Sequence, residues 1–269
     1  MKLFEAVKLL ADAGVDNPAF DARELFRHLG KMSLGELISQ EAECDLPELA
    51  FAIERRCKRE PLQYIIGEVE FYRESYKVTP ECLIPRQETE LLVDYAVKHI
   101  PDGCSFIDLC TGSGCIAVST LKNTKNTRAA AIDISDGALE IARYNSIKNG
   151  VSDRINFIRS DALAAPIKNN FFAVLSNPPY VTESAYKNLE PEIYFEPQIA
   201  FVGGEDGLTF YKRIIELYKK IIHPAGFFAF EIGYDQAKAV TDIAKTHKMT
   251  CEIIKDYSGN DRIAIIKRA

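Results

Sequence analysis

Apolar positions change their spacing twice along the chain. Over the first sixty residues they recur at helical intervals: Leu3, Val7 and Leu10 share one face, and the run stops at Gly14. Asn17-Pro18 predicts an N-cap and an N1 proline for a second helix that ends near Gly30. Ser33-Leu34-Gly35-Glu36 fits a capping box, and Asp45-Leu46-Pro47 opens a further helix through Arg59. From Pro61 to Val78 the residues turn strand-like: Gln63-Tyr64-Ile65-Ile66, then Val69-Glu70-Phe71-Tyr72 and Tyr76-Lys77-Val78 after Gly67. A linking hairpin is expected there. Leu83-Ile84-Pro85-Arg86 leads into an amphipathic helix from about Gln87 to His99.

After Pro101-Asp102-Gly103 short apolar runs alternate with helical stretches to the end. Strands are expected at Ser105–Leu109, Ala129–Ile134, Ile155–Ile158, Phe171–Leu175, Gly226–Ile232, Thr250–Ile254 and Arg262–Lys267. This alternation predicts an α/β fold: a Rossmann-like, seven-stranded, mostly parallel sheet covered on both faces. The expected organisation is a helical domain over 1–60, a linking hairpin over 61–80 and the α/β domain over 81–269.

Composition narrows the class without naming a chemistry. With 269 residues, 47% apolar and 27% charged, the chain reads as an ordinary globular protein. The start, Met1-Lys2-Leu3-Phe4-Glu5, does not read as a secretory signal, and no run approaches the roughly 20 apolar residues of a membrane span. The seven cysteines are dispersed with no C-x-x-C pair, so neither a metal site nor a disulfide framework is expected, and the reducing cytoplasm is. His28, His99, His223 and His247 lie in separate segments without ligand spacing.

A net charge of −6 and a pI near 5.4 argue against a protein that grips a nucleic-acid backbone, so no stable nucleic-acid partner is expected. Arg55-Arg56-Cys57-Lys58-Arg59 is a local exception. It reads as the solvated end of a helix, with an acidic or RNA-containing partner as the alternative.

Asn177-Pro178-Pro179-Tyr180 follows the apolar run Phe171–Leu175, which places it on the loop at a strand's carboxyl end. Two prolines remove two backbone donors and leave carbonyls free to accept beside an amide and an aromatic face. Such a loop can hold a planar NH2 group: Asn177 and a proline carbonyl take its two protons, and Tyr180 stacks on its face. An amide or exocyclic amine nitrogen is a poor nucleophile because its lone pair is delocalised. Hydrogen bonds from both of its protons return electron density to it. The competing structural reading is a tight turn that merely ends a strand.

Upstream, Asp108-Leu109-Cys110-Thr111-Gly112-Ser113-Gly114 joins a strand to a helix through a glycine turn. The dinucleotide pattern G-x-G-x-x-G is absent, since Cys110 stands at one glycine position and Ala117 at another. Asp133, with Ile134, ends the next strand, where a carboxylate accepts hydrogen bonds from ribose hydroxyls. Asp161-Ala162 follows the third strand, where an adenine can be read. Glycine turn, ribose acid, adenine loop and amide loop therefore share one rim, which favours a nucleoside-type methyl donor.

With these motifs in place, the chain resembles the HemK family, protein-(glutamine-N5) methyltransferases that act on peptide chain release factors. The likeness spans nearly the whole length: Pro61–Gly67 with Phe71, Leu83–Glu90, Asp108–Gly114, Asp133–Ser135, Asn177–Tyr180, Glu196-Pro197, Gly203–Leu208, Glu231–Gly233 and Asp261-Arg262. The tetrapeptide also occurs in adenine-N6 DNA methyltransferases; the Leu83–Glu90 segment and the Gly203–Leu208 loop are more particular to this family.

The resemblance implies the class I fold and S-adenosylmethionine as cofactor. Asp108 and Cys110 to Gly114 would line its methionine part, Asp133 and Ile134 its ribose, and Asp161 and Ala162 its adenine. Asn177 would bridge cofactor and substrate. Pro178, Pro179, Tyr180, Phe71, Arg86 and Glu88 would form the substrate side, and residues 1–60 a docking domain. The implied partner is a release factor, modified at the glutamine of its Gly-Gly-Gln loop, and a monomer is expected. Ala162 cannot stack on an adenine as an aromatic residue would, and Gln87 stands where the family commonly has proline. Glu88, Glu90 and Glu231 are carboxylates with equally good structural explanations. Two rivals stand beside this reading: an adenine-N6 DNA methyltransferase, and a silent module that only recruits release factors.

Overall fold

The computed structural model describes residues 1–38, 42–164, 166–167 and 169–269. Two compact units result: Met1–Glu68 with Glu190–Phe195, and Val69–Leu189 with Glu196–Ala269.

The first unit packs helices α1 (Leu3–Asp12), α2 (Pro18–His28), α3 (Pro47–Cys57) and α4 (Leu62–Ile66). Leu3, Ala6, Leu10, Leu25, Phe26, Leu49 and Ile53 form its buried core, as the helical spacing requires. Pro18 occupies the first turn of α2, but the Asn17 side chain makes no cap bond. Ser33 and Glu36 do bond reciprocally, around a short 3₁₀ turn at Glu36–Ile38 rather than an α-helix.

The strand expected at Gln63–Ile66 is instead the short helix α4. Pro61 fixes its entry, Gly67 closes it at φ +89°, and the Gly67 N–H donates to the Gln63 carbonyl at 2.8 Å. Leu62 and Ile65, three apart, enter the first unit's core. Four apolar residues cannot distinguish the two states by periodicity, and here the tertiary core decides.

Of the basic cluster at the end of α3 only Lys58 is exposed. Arg56 is 6% exposed; its Nε donates to Asp21 at 2.7 Å and its Nη1 to Glu192 at 2.9 Å. Arg59 forks onto the same Glu192, and Arg55 pairs with Glu60. Burial still pushes the Asp21 carboxyl above its ordinary range, against the pull of Arg56. These guanidiniums are committed within the first unit.

β1 (Glu68–Phe71) and β2 (Glu74–Lys77) pair as a two-stranded sheet, which belongs to the second unit from Val69 onward. A 3₁₀ turn at Gln87–Thr89 leads into α5 (Glu90–His99). The main sheet contains β3 (Ser105–Leu109), β4 (Arg128–Asp133), β5 (Ile155–Arg159), β6 (Ala173–Ser176), β7 (Phe227–Glu231), β8 (Met249–Lys255) and β9 (Asp261–Arg268). Between them lie α6 (Cys115–Lys122), α7 (Asp136–Lys148), α8 (Glu183–Tyr186), α9 (Thr209–Tyr218) and α10 (Ala237–Thr246).

All seven expected strands are present, in the order β5-β4-β3-β6-β7-β9-β8. The first five are parallel, and β9 runs antiparallel to both its neighbours.

Successive residues of one strand feed different cores. Phe106, Ala173, Leu175, Phe227 and Ala229 enter the core on one face; Ile107, Leu109, Val174, Phe228 and Phe230 enter the other. Burial on both faces is why these strands read as continuous apolar runs. By the same alternation Asp108 falls on the Phe106 face and is fully buried. Parallel register then aligns the strand ends: Leu109 lies beside Ile132 and Ser176, and Ser176 beside Phe230. The loops after β3, β4 and β6 emerge together on either side of the point where strand order reverses, which is where open α/β sheets bind ligands.

Candidate active site

The turn after β3 is tied to the end of the neighbouring strand β4. The Thr111 N–H donates to the Ile132 carbonyl at 2.9 Å, and the Gly112 N–H to Asp133 Oδ2 at 2.8 Å. Asp133 Oδ1 also accepts from the Ser135 N–H at 3.0 Å. Gly114, at φ +81°, passes close to Ala142 of α7, where a Cβ would sit 3.0 Å from the alanine Cβ. Gly112, at φ +55°, faces open space. Cys110 adopts φ +60°, a left-handed conformation costing a non-glycine residue roughly 1–2 kcal/mol. The glycine-to-cysteine change is therefore strained, and burial keeps the thiol protonated well above its ordinary range.

Beneath the turn, Asp108 Oδ2 accepts from Thr111 Oγ1 at 2.6 Å and from the Ala117 N–H at 3.2 Å. Its Oδ1 is buried with no hydrogen-bond partner among the described residues. Burial pushes this carboxyl up to about 7. A carboxyl raised above its unfolded value favours folding when protonated. Its stabilising share is full below the unfolded pKa near 3.8 and is lost as pH rises to about 7. Asp108→Asn is expected to gain melting temperature over the parent at pH 8 and to lose that advantage near pH 4. Thermal denaturation across that range checks it.

The second half of the site follows β6. Ser176 Oγ donates to the Leu109 carbonyl at 2.6 Å, tying the start of the Asn177–Tyr180 loop to the glycine turn. Pro178 and Pro179 are buried. Asn177 Nδ2 meets Thr89 Oγ1 at 3.3 Å, Thr89 Oγ1 donates to Glu231 Oε2, and the Tyr180 hydroxyl donates to Glu231 Oε1 at 3.3 Å. Glu231 is 2% exposed at the end of β7, and burial raises its carboxyl above the ordinary range.

The Gly203–Leu208 loop braces the tetrapeptide from outside. The Val181 N–H donates to the Phe201 carbonyl at 2.8 Å and the Gly203 N–H to the Val181 carbonyl at 2.9 Å. A Cβ on Gly203 would overlap the Pro179 carbonyl oxygen, and one on Gly207 the Tyr180 carbonyl oxygen. Gln236 Nε2 donates to the Tyr180 carbonyl at 3.0 Å.

A cleft of about 110 Å³ opens between these loops. Of the sequence-predicted residues it is lined by Cys110, Gly112, Asp133, Ile134, Asp161, Ala162, Asn177 and Pro179. Asp108 lies beneath the turn. Tyr180 sits behind the cleft on Glu231. Phe71 is 1% exposed in the core, edge-on to Tyr76 at 5.8 Å, and does not line the cleft. Arg86 pairs with the buried Glu196, which also accepts from the Ile84 N–H at 2.9 Å, so it staples its own segment. Glu88 is exposed.

Sequence reasoning missed Glu81, Cys82, Pro197, Ile199 and Phe210, which also line the cleft; only tertiary folding brings them there. Thr89 was missed too, and no local pattern marks a threonine that reaches a carboxylate 142 residues away.

The lining sorts ligands by charge. It holds three carboxylates, Glu81, Asp133 and Asp161, and no lysine or arginine. A pyrophosphate would meet only like charge, whereas a sulfonium or ammonium would be attracted. Ile134 and Ile199, 45% and 57% exposed, add apolar surface for a ring. The donor set fits a cationic nucleoside rather than a dinucleotide.

Comparison with known proteins agrees. Residues 3–67 match the model of the PrmC N-terminal domain, and residues 87–193 that of the methyltransferase small domain. A release factor glutamine methyltransferase of Thermodesulfovibrio yellowstonii is 39% identical over 93% of this chain and 92% of its own. Another, of Fusobacterium nucleatum, is 35% identical over 98% of this chain and 77% of its own.

The chain belongs to the release factor glutamine methyltransferase family.

The sheet agrees with that of the ribosomal protein L11 methylase of Lactobacillus delbrueckii subsp. bulgaricus, with a TM-score of 0.53 at 18% identity. That match covers 74% of this chain and 92% of the other, and it speaks to the fold. As a member of the release factor glutamine methyltransferase family the chain is a methyltransferase, and family and fold together imply a methyl donor. Among the described residues no helix is long and apolar enough to cross a membrane, and no cluster of His, Cys, Asp and Glu could hold a metal.

Proposed function

We propose that the chain transfers a methyl group from S-adenosylmethionine to the side-chain nitrogen of the glutamine in the Gly-Gly-Gln loop of peptide chain release factors. The observation that carries this is one cleft lined both by the acid at the end of β4 and by the amide loop after β6. Cys110 to Gly114 would flank the methionine part, Asp133 and Ile134 the ribose, and Asp161, Ala162 and Ile199 the adenine. The cofactor would supply a methyl carbon made electrophilic by its attached sulfonium, whose S–C bond to that methyl would break to leave a neutral thioether.

The chain's own residues orient and desolvate the reacting amide. Asn177 Oδ1 and the Pro178 carbonyl accept its two protons, which returns density to the nitrogen that forms the new N–C bond. Pro179 and Tyr180 wall the loop. Each oxygen of Glu231 already accepts one hydroxyl, and no base is assigned in this reading: the nitrogen releases its own proton to water after transfer. Residues 1–60 serve as the docking domain in this reading, and the enzyme acts as a cytoplasmic monomer.

The test is incubation with S-adenosylmethionine and a purified release factor, with adenine-containing DNA in parallel, followed by peptide mass spectrometry. Methyl on the Gly-Gly-Gln glutamine and none on DNA is expected. Methyl on DNA alone would transfer the case to the adenine-N6 alternative. Separately, Asp133→Asn should weaken cofactor binding roughly 10- to 100-fold in calorimetry. That is the worth of one or two bonds to a charged acceptor, about 2 kcal/mol.

A further inference from the structure

We infer that Thr89 and Glu231 are positioning residues that set which way round the Asn177 amide is held, and so decide that its oxygen, not its nitrogen, meets the substrate. The inference rests on the proposed amide chemistry for its purpose, though its geometry stands alone.

An ionised carboxylate only accepts, and the two oxygens of Glu231 each take a hydroxyl: Thr89 on Oε2 at 2.5 Å and Tyr180 on Oε1 at 3.3 Å. Burial raises the Glu231 carboxyl, while the two hydroxyls and the nearby charge of Arg262 pull it back toward that ionised form. Thr89 has one proton, and Glu231 holds it, so Thr89 Oγ1 can offer Asn177 only a lone pair. Asn177 must therefore turn its NH2 toward Thr89, as it does at 3.3 Å. The flipped amide would set two oxygen lone pairs against each other with no proton between them.

With its NH2 turned to Thr89, Asn177, which lines the cleft, has its carbonyl oxygen as the acceptor it can offer there. One buried carboxylate thus anchors both ends of the tetrapeptide, Asn177 through Thr89 and Tyr180 directly. Thr89 is 2% exposed and Glu231 lies at the end of β7, so neither anchor depends on a mobile surface side chain.

The test reads the amide itself. In ¹⁵N-labelled protein the Asn177 side-chain pair is identified by its disappearance in Asn177→Ala. In the parent it should show two well-separated, slowly exchanging protons. In Thr89→Val, nearly the same shape without the hydroxyl, the pair should move toward the position of a free amide. Its exchange with water should then rise on the order of tenfold. Thr89→Ser should restore the parent pattern. Turnover of Thr89→Val should fall roughly 10- to 100-fold, with KM for the release factor and cofactor affinity within about twofold. A merely structural threonine would lower melting temperature without moving the amide signals. An unchanged amide pair in Thr89→Val overturns the inference whatever the turnover. If instead the parent fails to methylate the release factor, the proposed function falls while the spectra still decide the relay.

Discussion

Turnover of Asn177→Ala is expected to fall by about 10³-fold, with the fold intact and cofactor affinity nearly unchanged. A preorganised polar group aimed at a reacting centre is worth that much when removed. Here its removal also leaves the poor nucleophilicity of an amide uncorrected. The side chain is not a packing element: Asn177 is half-buried on a loop, and among the described residues its one side-chain bond is the 3.3 Å contact to Thr89. The flanking prolines keep the loop's course. Single-turnover rates with saturating cofactor, beside a melting curve and a calorimetric titration, check the three parts. A variant that turns over like the parent would remove the amide clamp from the mechanism.

Gly203→Ala should lower turnover by about 10²-fold, although the residue carries no chemistry. A Cβ there cannot avoid the Pro179 carbonyl oxygen, because backbone, not a flexible side chain, stands in the way. The tetrapeptide must shift, and a displacement on the order of 1 Å is enough for such a loss. Gly207 faces the Tyr180 carbonyl in the same manner and adds a φ of +68° that disfavours any side chain. The expected signature is a drop in kcat with cofactor affinity retained, measured by steady-state kinetics and titration. Parent-like kcat would mean that the loop only covers the site.

Much of this was legible in the chain. Strands buried on both faces write themselves as apolar runs, and Phe227-Phe228-Ala229-Phe230 feeds two cores from four of the five residues of β7. Positions at strand ends were legible too, since Asp133 and Asn177 each follow such a run and parallel register aligns them. What could not be read were matters settled by distant partners. Residues Leu62–Ile66 look like a strand until the core that takes Leu62 and Ile65 is known. Phe71 looks like a wall for substrate until Tyr76 is seen against it. Arg56 looks solvated until Asp21 and Glu192 close on it. The strain at Cys110 depended on a φ that the residue type alone does not give.

The short run Glu190–Phe195 belongs to the first unit although the residues on both sides of it belong to the second. The first unit is thus completed by a segment made more than a hundred residues after the rest of it, and no single cut yields it whole. A fragment ending at Glu68 would lack Glu192 and with it an acceptor shared by Arg56 and Arg59. Each guanidinium would keep its cost of burial and lose part of its compensation. For a chain emerging residue by residue from the ribosome, the helical unit stays electrostatically unfinished until the sheet's fourth parallel strand, β6, has already been made.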